Sequence, residues 1–431
     1  LYDRQRTAAV VGSGLAGLTA AVTLQRAGVR VTLFDGGAGR VGSMFPSPEF
    51  PAWRVETGAS SVTHRAEAVF RLAEQIGLGV PGSGAWRQLA PAARDRFVAD
   101  GERLRPVGLS SLGLRQAAEF SRGMLRHRPP QPDETVADWA RLQFGASLAN
   151  GFARALTVGI WGCAPEHVGF ADAWPELHAA LQTVSPLALQ KQLPGRAQGS
   201  VAPRGGTWTL SGGMGRLATA ARRALEEAGG IVISEPVGTL DDLDVDRVVV
   251  ATDAHDAARL LPGAAVELSQ VRHAPMAVVH WLAAPQERPR GFGLLVPPGD
   301  PVLGTLFVSD VLDDAAPPEL SAYSTTFGGY ASPDQLLRSD AALVADVSAR
   351  HARWFGAEPR IVAAHVVRWP RAVSIPSVGH RARIAQVQQA LEERCGGRVV
   401  LAGAYLSGGT LDDAVVSGYA AAEIAAQAAS G

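Results

Sequence analysis

Apolar positions along this chain follow two different rhythms. Residues 7–11 form a short unbroken apolar run, followed at once by Gly12-Ser13-Gly14-Leu15-Ala16-Gly17 and by apolar residues at helical spacing through Arg26, closed by Ala27-Gly28. A second apolar run, residues 29–34, ends on Asp35. Strand, glycine turn, helix, strand and acid in this order predict a βαβ unit in which a pyrophosphate lies over a helix N-terminus and a carboxylate meets a ribose hydroxyl. Between about Gly82 and Gly206 strand-like runs become scarce. There Arg115, Arg122 and Arg126 recur among Leu112, Ala118, Phe120 and Leu125 in a largely helical reading, which Arg126-His127-Arg128-Pro129-Pro130 stops.

Regular alternation returns at Trp208-Thr209-Leu210, ahead of Gly212-Gly213-Met214-Gly215, a helix to Ala228 and strands at 231–233 and 248–252. From Ala277 to about Pro370 short strand-like runs dominate. A helical stretch near 382–393, a strand at 399–402 and an Ala-rich helix close the chain, and nothing repeats with a fixed period.

Composition narrows the class. With 431 residues, 47% hydrophobic and 19% charged, the chain is globular and long enough for two or three domains at about 150 residues each. Forty Lys and Arg balance forty-one Asp and Glu, so no global field favours nucleic acid. Cys163 and Cys395 are the only cysteines and lie far apart, which excludes a disulfide framework or a CxxC redox pair. No stretch approaches the roughly 18 apolar residues of a spanning helix, and the start lacks the apolar core of a signal peptide, so a cytoplasmic chain is expected.

No HExxH, no zinc-spaced cysteines and no GxSxG accompany the glycine turn, and the ten histidines are scattered singly. Neither a metal site nor an acid-base residue is assigned. If the chain is an enzyme, a bound dinucleotide must supply the reactivity. After Asp35 the loop Gly36-Gly37-Ala38-Gly39-Arg40-Val41-Gly42 runs on to Trp53-Arg54-Val55-Glu56-Thr57-Gly58, where a nicotinamide enzyme would resume βαβ units. Such a loop suits a cofactor lying lengthwise. Near the far end, Leu401-Ala402-Gly403 leads through Ser407-Gly408-Gly409 to Asp412-Asp413-Ala414-Val415-Val416-Ser417-Gly418, a strand feeding a helix whose first amides suit a pyrophosphate or an isoalloxazine ring. Standing alone, that segment reads better as an ordinary strand, turn and Ala-rich terminal helix.

With these motifs on view, the sequence resembles the oxygen-dependent protoporphyrinogen oxidases, within the flavin amine oxidase superfamily. The resemblance runs almost end to end. It rests on Val10 through Gly17, Val55-Glu56-Thr57-Gly58, Arg103-Leu104-Arg105-Pro106-Val107, Val158-Gly159-Ile160-Trp161-Gly162, Ala274-Pro275-Met276-Ala277-Val278-Val279 and Gly291-Phe292-Gly293-Leu294-Leu295-Val296-Pro297. Further along come Leu303-Gly304-Thr305-Leu306-Phe307, Thr325-Thr326-Phe327, Arg368-Trp369-Pro370 and Gly379-His380.

The resemblance implies an α/β fold: a discontinuous Rossmann-like FAD-binding domain (1–85, 205–262 and 395–431), a mixed-sheet substrate domain (263–394) and a helical, membrane-associating domain (86–204). It implies FAD as cofactor, held by Gly12, Ser13, Gly14, Leu15, Ala16, Gly17 and Asp35, with Arg40, Gly42, Gly58, Ala59, Ser60, Val237, Trp369, Gly403, Leu411, Asp412, Asp413 and Ala414 completing the cradle. The implied substrate is a tetrapyrrole. Arg105 would meet a propionate, Leu295 and Leu306 would sandwich the macrocycle, Phe327 would be their aromatic neighbour, and Gly159 would lie beside them. Without the family, the same leucines and Phe327 read as plain core and Arg105 as a solvated charge. The implied reaction moves hydride from a meso methylene to the flavin, with oxygen as final acceptor, in haem biosynthesis. Further implied partners are a peripheral membrane surface, met by the arginines of the 115–128 region, and a homodimer, although the oligomeric state is not written in the sequence.

The chain also departs from the family pattern. One extra residue separates Asp35 from Arg40, Ser43 replaces a glycine, Ser60 stands where Asn or Arg is usual, and Ser374-Ile375-Pro376 replaces Pro-Gln-Tyr. The link from Val237 through Asp241-Asp242-Leu243-Asp244 to Val248 is too short for the strands usually inserted there. The changes at Ser60 and Ser374 to Pro376 keep open a non-catalytic flavin- or porphyrin-binding protein, and within the enzyme class another amine-oxidase-like flavoenzyme such as a carotenoid-type desaturase is a rival, against which Arg105 argues.

Overall fold

The computed structural model describes residues 5–36, 53–108, 112–192, 200–297 and 299–427. A parallel sheet of five strands runs in the order Val399–Leu401, Arg247–Val250, Thr7–Val11, Arg30–Phe34, Ile231–Ile233. Its central strand is covered on both faces, and so its sequence is an unbroken apolar run instead of an alternating one. The helices Leu15–Arg26, Gly215–Glu227 and Leu411–Gln427 pack on one face through Leu18, Leu217 and Val415. On the other face lie Ala254–Leu260 and His380–Cys395, through Ala257, Ile384 and Val387. The first and last helices approach so closely that a Cβ on Gly418 would stand 2.4 Å from the Ala16 carbonyl oxygen.

A second, mixed sheet has seven strands: Ile361–Ile375, Arg272–Ala283, Ser321–Gly328, Val302–Leu306, Gly293–Leu295, Arg96–Asp100, Arg103–Pro106. All its pairings are antiparallel except that of Gly293–Leu295 with Arg96–Asp100. One face packs on the helix Asp340–Phe355, where Leu343 and Val347 meet Trp281, Tyr323 and Phe327. A third, small antiparallel sheet has the order Val62–Thr63, Thr207–Leu210, Trp86–Gln88.

Two expectations change. The stretch 86–204 is not helical throughout: Arg96–Asp100 and Arg103–Pro106 extend the seven-stranded sheet, and the helices of this region begin with Leu114–Leu125. Arg96–Asp100 has only five residues, and the arginine-rich edge strand Arg103–Pro106 only four, too few to show a clear hydrophobic alternation. Between 277 and 370 the expected short strands are present at Gly293–Leu295, Val302–Leu306 and Ser321–Gly328, but they lie between two long ones, of 12 and 15 residues, and are followed by the 16-residue helix Asp340–Phe355, which was not expected. Ser339 caps that helix by accepting from the Ala342 amide, and Gly356, at φ 77°, ends it.

In the helical segment a π-turn, Ala149–Ala153, leads into Arg154–Trp161. This helix stops at Gly162, where a Cβ would be 2.3 Å from Met276 Cε, so its end presses on the seven-stranded sheet. No helix among the described residues is long and apolar enough to cross a membrane.

Candidate functional site

The glycine turn owes its shape to three different constraints. A Cβ on Gly12, at φ 113°, would stand 2.6 Å from the Ala251 carbonyl oxygen, and one on Gly17 would stand 1.9 Å from that of Gly12. Both glycines are therefore required by the packing of strand against helix. A Cβ on Gly14 would meet nothing within 4 Å. Gly14 opens onto free space directly before the helix Leu15–Arg26, which has neither a side-chain cap nor an acidic residue in its first turn. Uncapped amides of Leu15, Ala16 and Gly17 at a helix N-terminus, faced by an unobstructed glycine, fit a pyrophosphate. Ser13, Leu15 and Ala16 are themselves buried.

Asp35 leaves the second strand with its side chain 1% exposed. Its Oδ2 accepts from Arg222 Nη1 at 3.1 Å and from Ser234 Oγ at 3.0 Å. Sequence reasoning missed both partners, because Arg222 lies on a helix 187 positions away. Arg40 and Gly42 lie outside the described residues, as does Ser43. Val237 is half-buried against the second core cluster, and the turn Leu240–Asp242 fills the short link that follows it.

Further loops converge on the same edge of the parallel sheet. A Cβ on Gly403 would stand 3.6 Å from the Thr252 carbonyl oxygen, and the Gly403 amide donates to Ser417 Oγ at 2.8 Å. Leu411 and Ala414 pack against the first core cluster. Asp413 and Thr410 form a reciprocal cap at the start of the last helix: Thr410 N donates to Asp413 Oδ2 at 2.9 Å, and Asp413 N to Thr410 Oγ1 at 3.1 Å. Asp412 turns instead to the helix Glu67–Gln75, accepting from Val69 N at 3.0 Å. Burial, with Asp413 nearby, holds its carboxyl above the usual range. Both acids expected in the cradle thus have structural partners. The Thr-x-x-Asp spacing could have revealed the first.

The two sheets are stitched together at this edge. Trp369 Nε1 donates to the Thr57 carbonyl at 2.8 Å, and Ser374 Oγ to that of Gly408 at 3.1 Å. Gly58 and Ser60 are half-buried and Ala59 is exposed, while Thr209 Oγ1 donates to the Ser60 carbonyl at 2.8 Å. Glu56, ahead of them, accepts from Arg54 and from the Met214 amide at 2.9 Å.

Strand register defines the two faces of the seven-stranded sheet. One cross-strand row contains His365, His280, Ser324, Leu306 and Gly293, and the next contains Val367, Val278, Thr326, Gly304 and Leu295. Trp369 and Met276 head the row after that. Alternation puts all of these on one face, opposite the helix Asp340–Phe355. Leu295 and Leu306 are therefore neighbours on a single face, and a Cβ on Gly159 would stand 3.6 Å from Leu295 Cδ2. Ile160 and Leu156 beside it are exposed, which leaves an apolar strip on the helix Arg154–Trp161.

Phe327 is corrected. Period-two alternation gives the face to Thr326, so Phe327 points the other way and is fully buried among Ala277, Val302 and Leu343. Arg105 lies exposed on the outermost strand, two strands beyond Leu295. A polar patch interrupts the apolar face: His280 Nδ1 lies 2.8 Å from Ser324 Oγ, and His280 Nε2 is buried without a partner.

The model of the flavin containing amine oxidoreductases matches residues 15–426. Among curated proteins the chain is similar to the protoporphyrinogen oxidase of Homo sapiens, 29% identical over 367 residues, which cover 73% of this chain and 76% of the relative. It is also similar to the coproporphyrinogen III oxidase of Mycobacterium tuberculosis, 26% identical over 94% of this chain and 93% of the relative. Among solved structures, one from Exiguobacterium sp. 255-15, provisionally named a protoporphyrinogen oxidase, superposes with a TM-score of 0.83 at 21% identity, covering 97% of this chain and 98% of that one.

Proposed function

Because the chain belongs to the flavin containing amine oxidoreductases and is an FAD-dependent oxidoreductase, we propose that its substrate is a porphyrinogen, protoporphyrinogen IX or coproporphyrinogen III, oxidised to the porphyrin with oxygen as acceptor. The observation that carries this reading is the shared face of Leu295 and Leu306 with Gly159 opposite Leu295. A porphyrinogen is a wide, mostly apolar ring with carboxylates at its edge, and an apolar slot with few polar groups suits it. The similarity to relatives named for both porphyrinogens supports the same class.

In this reading each part of the site has a task. The amides of Leu15 to Gly17 hold the pyrophosphate of FAD, Asp35 takes the ribose, and Val237, Gly58 to Ser60, Trp369 and the 411–414 turn bound the rest. Bound FAD supplies the hydride acceptor. Leu295, Leu306 and the apolar strip at Gly159 position a meso methylene and exclude water, while Arg105 anchors a propionate at the rim. Three domains divide these tasks: 1–85, 205–262 and 395–431 hold FAD, 263–394 with 96–106 form the substrate domain, and the rest of 86–204 forms the helical domain. The chain is placed in the cytoplasm, with the helix Leu114–Leu125 resting on an anionic membrane. Leu114 and Leu125 there are 94% and 67% exposed beside Arg115, Arg122 and Arg126.

Anaerobic titration of the yellow holoprotein with each porphyrinogen tests the reading. Bleaching of the flavin band by one of them, with recovery in air, is the expected result. If neither porphyrinogen bleaches a flavin that dithionite reduces normally, the substrate class is wrong.

A further inference from the structure

We propose that Arg222 is a positioning residue for the dinucleotide: together with Ser234 it keeps the Asp35 carboxylate ionised and oriented to receive the adenosine ribose of FAD. The inference rests on FAD as the ligand of the glycine turn.

Asp35 must do something difficult. Its side chain is 1% exposed, and a carboxylate removed from water tends to take up a proton. Protonation would convert one of its acceptor oxygens into a donor, and ribose hydroxyls need acceptors. Arg222 Nη1, at 3.1 Å, supplies a permanent positive charge, and Ser234 Oγ, at 3.0 Å, a second donor, both to the same oxygen. Two donors on Oδ2 fix the plane of the carboxylate as well as its charge. The guanidinium is itself held, because Arg222 Nε donates to Glu226 Oε1 at 3.1 Å, one helical turn away.

The position of this group makes a purely structural ion pair an incomplete account. Asp35 directly follows the strand that meets the glycine turn, where the Gly12 amide donates to the Phe34 carbonyl at 2.8 Å. Arg222 comes from the helix Gly215–Glu227, and Ser234 directly follows the neighbouring strand Ile231–Ile233. Three segments therefore meet at the one acid that the βαβ pattern assigns to the ribose. Sequence pattern alone recognises only the acid.

The test is FAD affinity of the apoprotein, read by quenching of flavin fluorescence, beside its thermal unfolding by circular dichroism. Arg222→Gln should weaken FAD binding on the order of tenfold, as expected for loss of a charge-assisted hydrogen bond, and also lower the apoprotein melting temperature, because a buried carboxylate loses its counter-charge. Arg222→Lys should retain part of the affinity, since it keeps the charge and loses the fork. Ser234→Ala should weaken FAD binding in the same direction by a smaller factor, and with Arg222→Lys it carries the test if Arg222→Gln does not fold. The decisive measurement is the pair Asp35→Asn and Asp35→Asn/Arg222→Gln. If Arg222 acts through Asp35, the second change adds no further loss. Equal losses on both backgrounds, or unaltered FAD affinity in Arg222→Gln, would overturn the inference. Tighter binding in Arg222→Gln would also overturn it, since Arg222 would then compete with the ribose for Asp35. Failure of the wild-type apoprotein to bind FAD at all would instead remove the cofactor assignment on which the inference rests.

Discussion

His280 and His365 stand directly opposite each other on neighbouring antiparallel strands, on the face that also carries Leu306. Burial, and secondarily His365, pushes the His280 imidazole down to about 3 from an ordinary value of 6.5. Burial does the same to His351, to about 3, with Arg288 adding to it, and to His273, to about 4, with His255 adding to it. All three are neutral in the folded protein at pH 7. The unfolded chain protonates them below about 6.5, and the folded protein does not until about 3 to 4, so their stabilising effect is complete above 6.5 and is lost as the pH falls through that window. Each group should lower stability by up to ~1.4 kcal/mol per pH unit there. Denaturant melts should be flat from pH 7 to 8 and weaken steeply between 6 and 4. A profile level down to pH 4 would contradict these burial effects.

His351 allows a sharper test. It is 1% exposed among Trp281, Tyr323 and Phe355, and neither ring nitrogen has a partner. Replacing a buried polar group that makes no hydrogen bond should cost little. His351→Leu is expected to keep its pH 7.5 stability within about 1 kcal/mol and to lose one proton from the acid-dependent slope. An unchanged slope would place the titration elsewhere.

The glycine turn predicts a contrast between neighbours. Gly14→Val should fold normally and contain no FAD, because its side chain enters the open space before the first helix. Gly17→Ala should fail earlier, at folding, since its Cβ would lie 1.9 Å from the Gly12 carbonyl oxygen. Flavin absorbance per chain and far-ultraviolet melting together check both. A yellow Gly14→Val protein would move the pyrophosphate away from this turn.

What could be read in the sequence follows what burial writes into it. The strand Thr7–Val11 is legible because both faces are covered, and Gly12 and Gly17 because no other residue fits. The helix Asp340–Phe355 is less so: only Leu343, Val347 and His351 are buried along its 16 residues, and the adjoining strands mask its period. Phe327, expected as the aromatic neighbour of Leu295 and Leu306, lies on the opposite face because faces depend on register, and the pairing shifts between Val302 and Gly304. Arg222 is invisible for a different reason. Its partner is distant in the chain, and one arginine among several on a helix carries no mark of which one turns inward.

Membrane association gives the next expected outcome. Leu114 and Leu125 expose apolar surface on a helix that also bears Arg115 and Arg122 and ends at Arg126. Binding to anionic vesicles should exceed binding to neutral ones and fall with salt. Arg115 pairs with Glu119, and Arg126 Nη1 donates to the Leu142 carbonyl at 2.8 Å, so Arg122→Gln should weaken binding more than either of the other single changes. Leu114→Ser with Leu125→Ser should weaken it at all salt concentrations. Equal binding to both vesicle types would leave a solvated basic helix and no membrane role.

Arg105 tests the orientation of the substrate. It lies exposed on the last strand of the seven-stranded sheet, its backbone paired with Val98, so its replacement should disturb neither fold nor cofactor. If its guanidinium meets a propionate, Arg105→Ala should keep full FAD content and lose about 1.5 to 3 kcal/mol in kcat/KM, chiefly through KM. Lysine should restore only part of this, because a point charge replaces a planar fork. The comparison is most informative with both porphyrinogens. A substrate with carboxylates on more of its edge can rebind through another propionate, so the variant should lose less with coproporphyrinogen III than with protoporphyrinogen IX. Unaltered constants for both substrates in a protein whose wild type turns them over would place the carboxylates at another edge of the sheet and return Arg105 to the solvated surface.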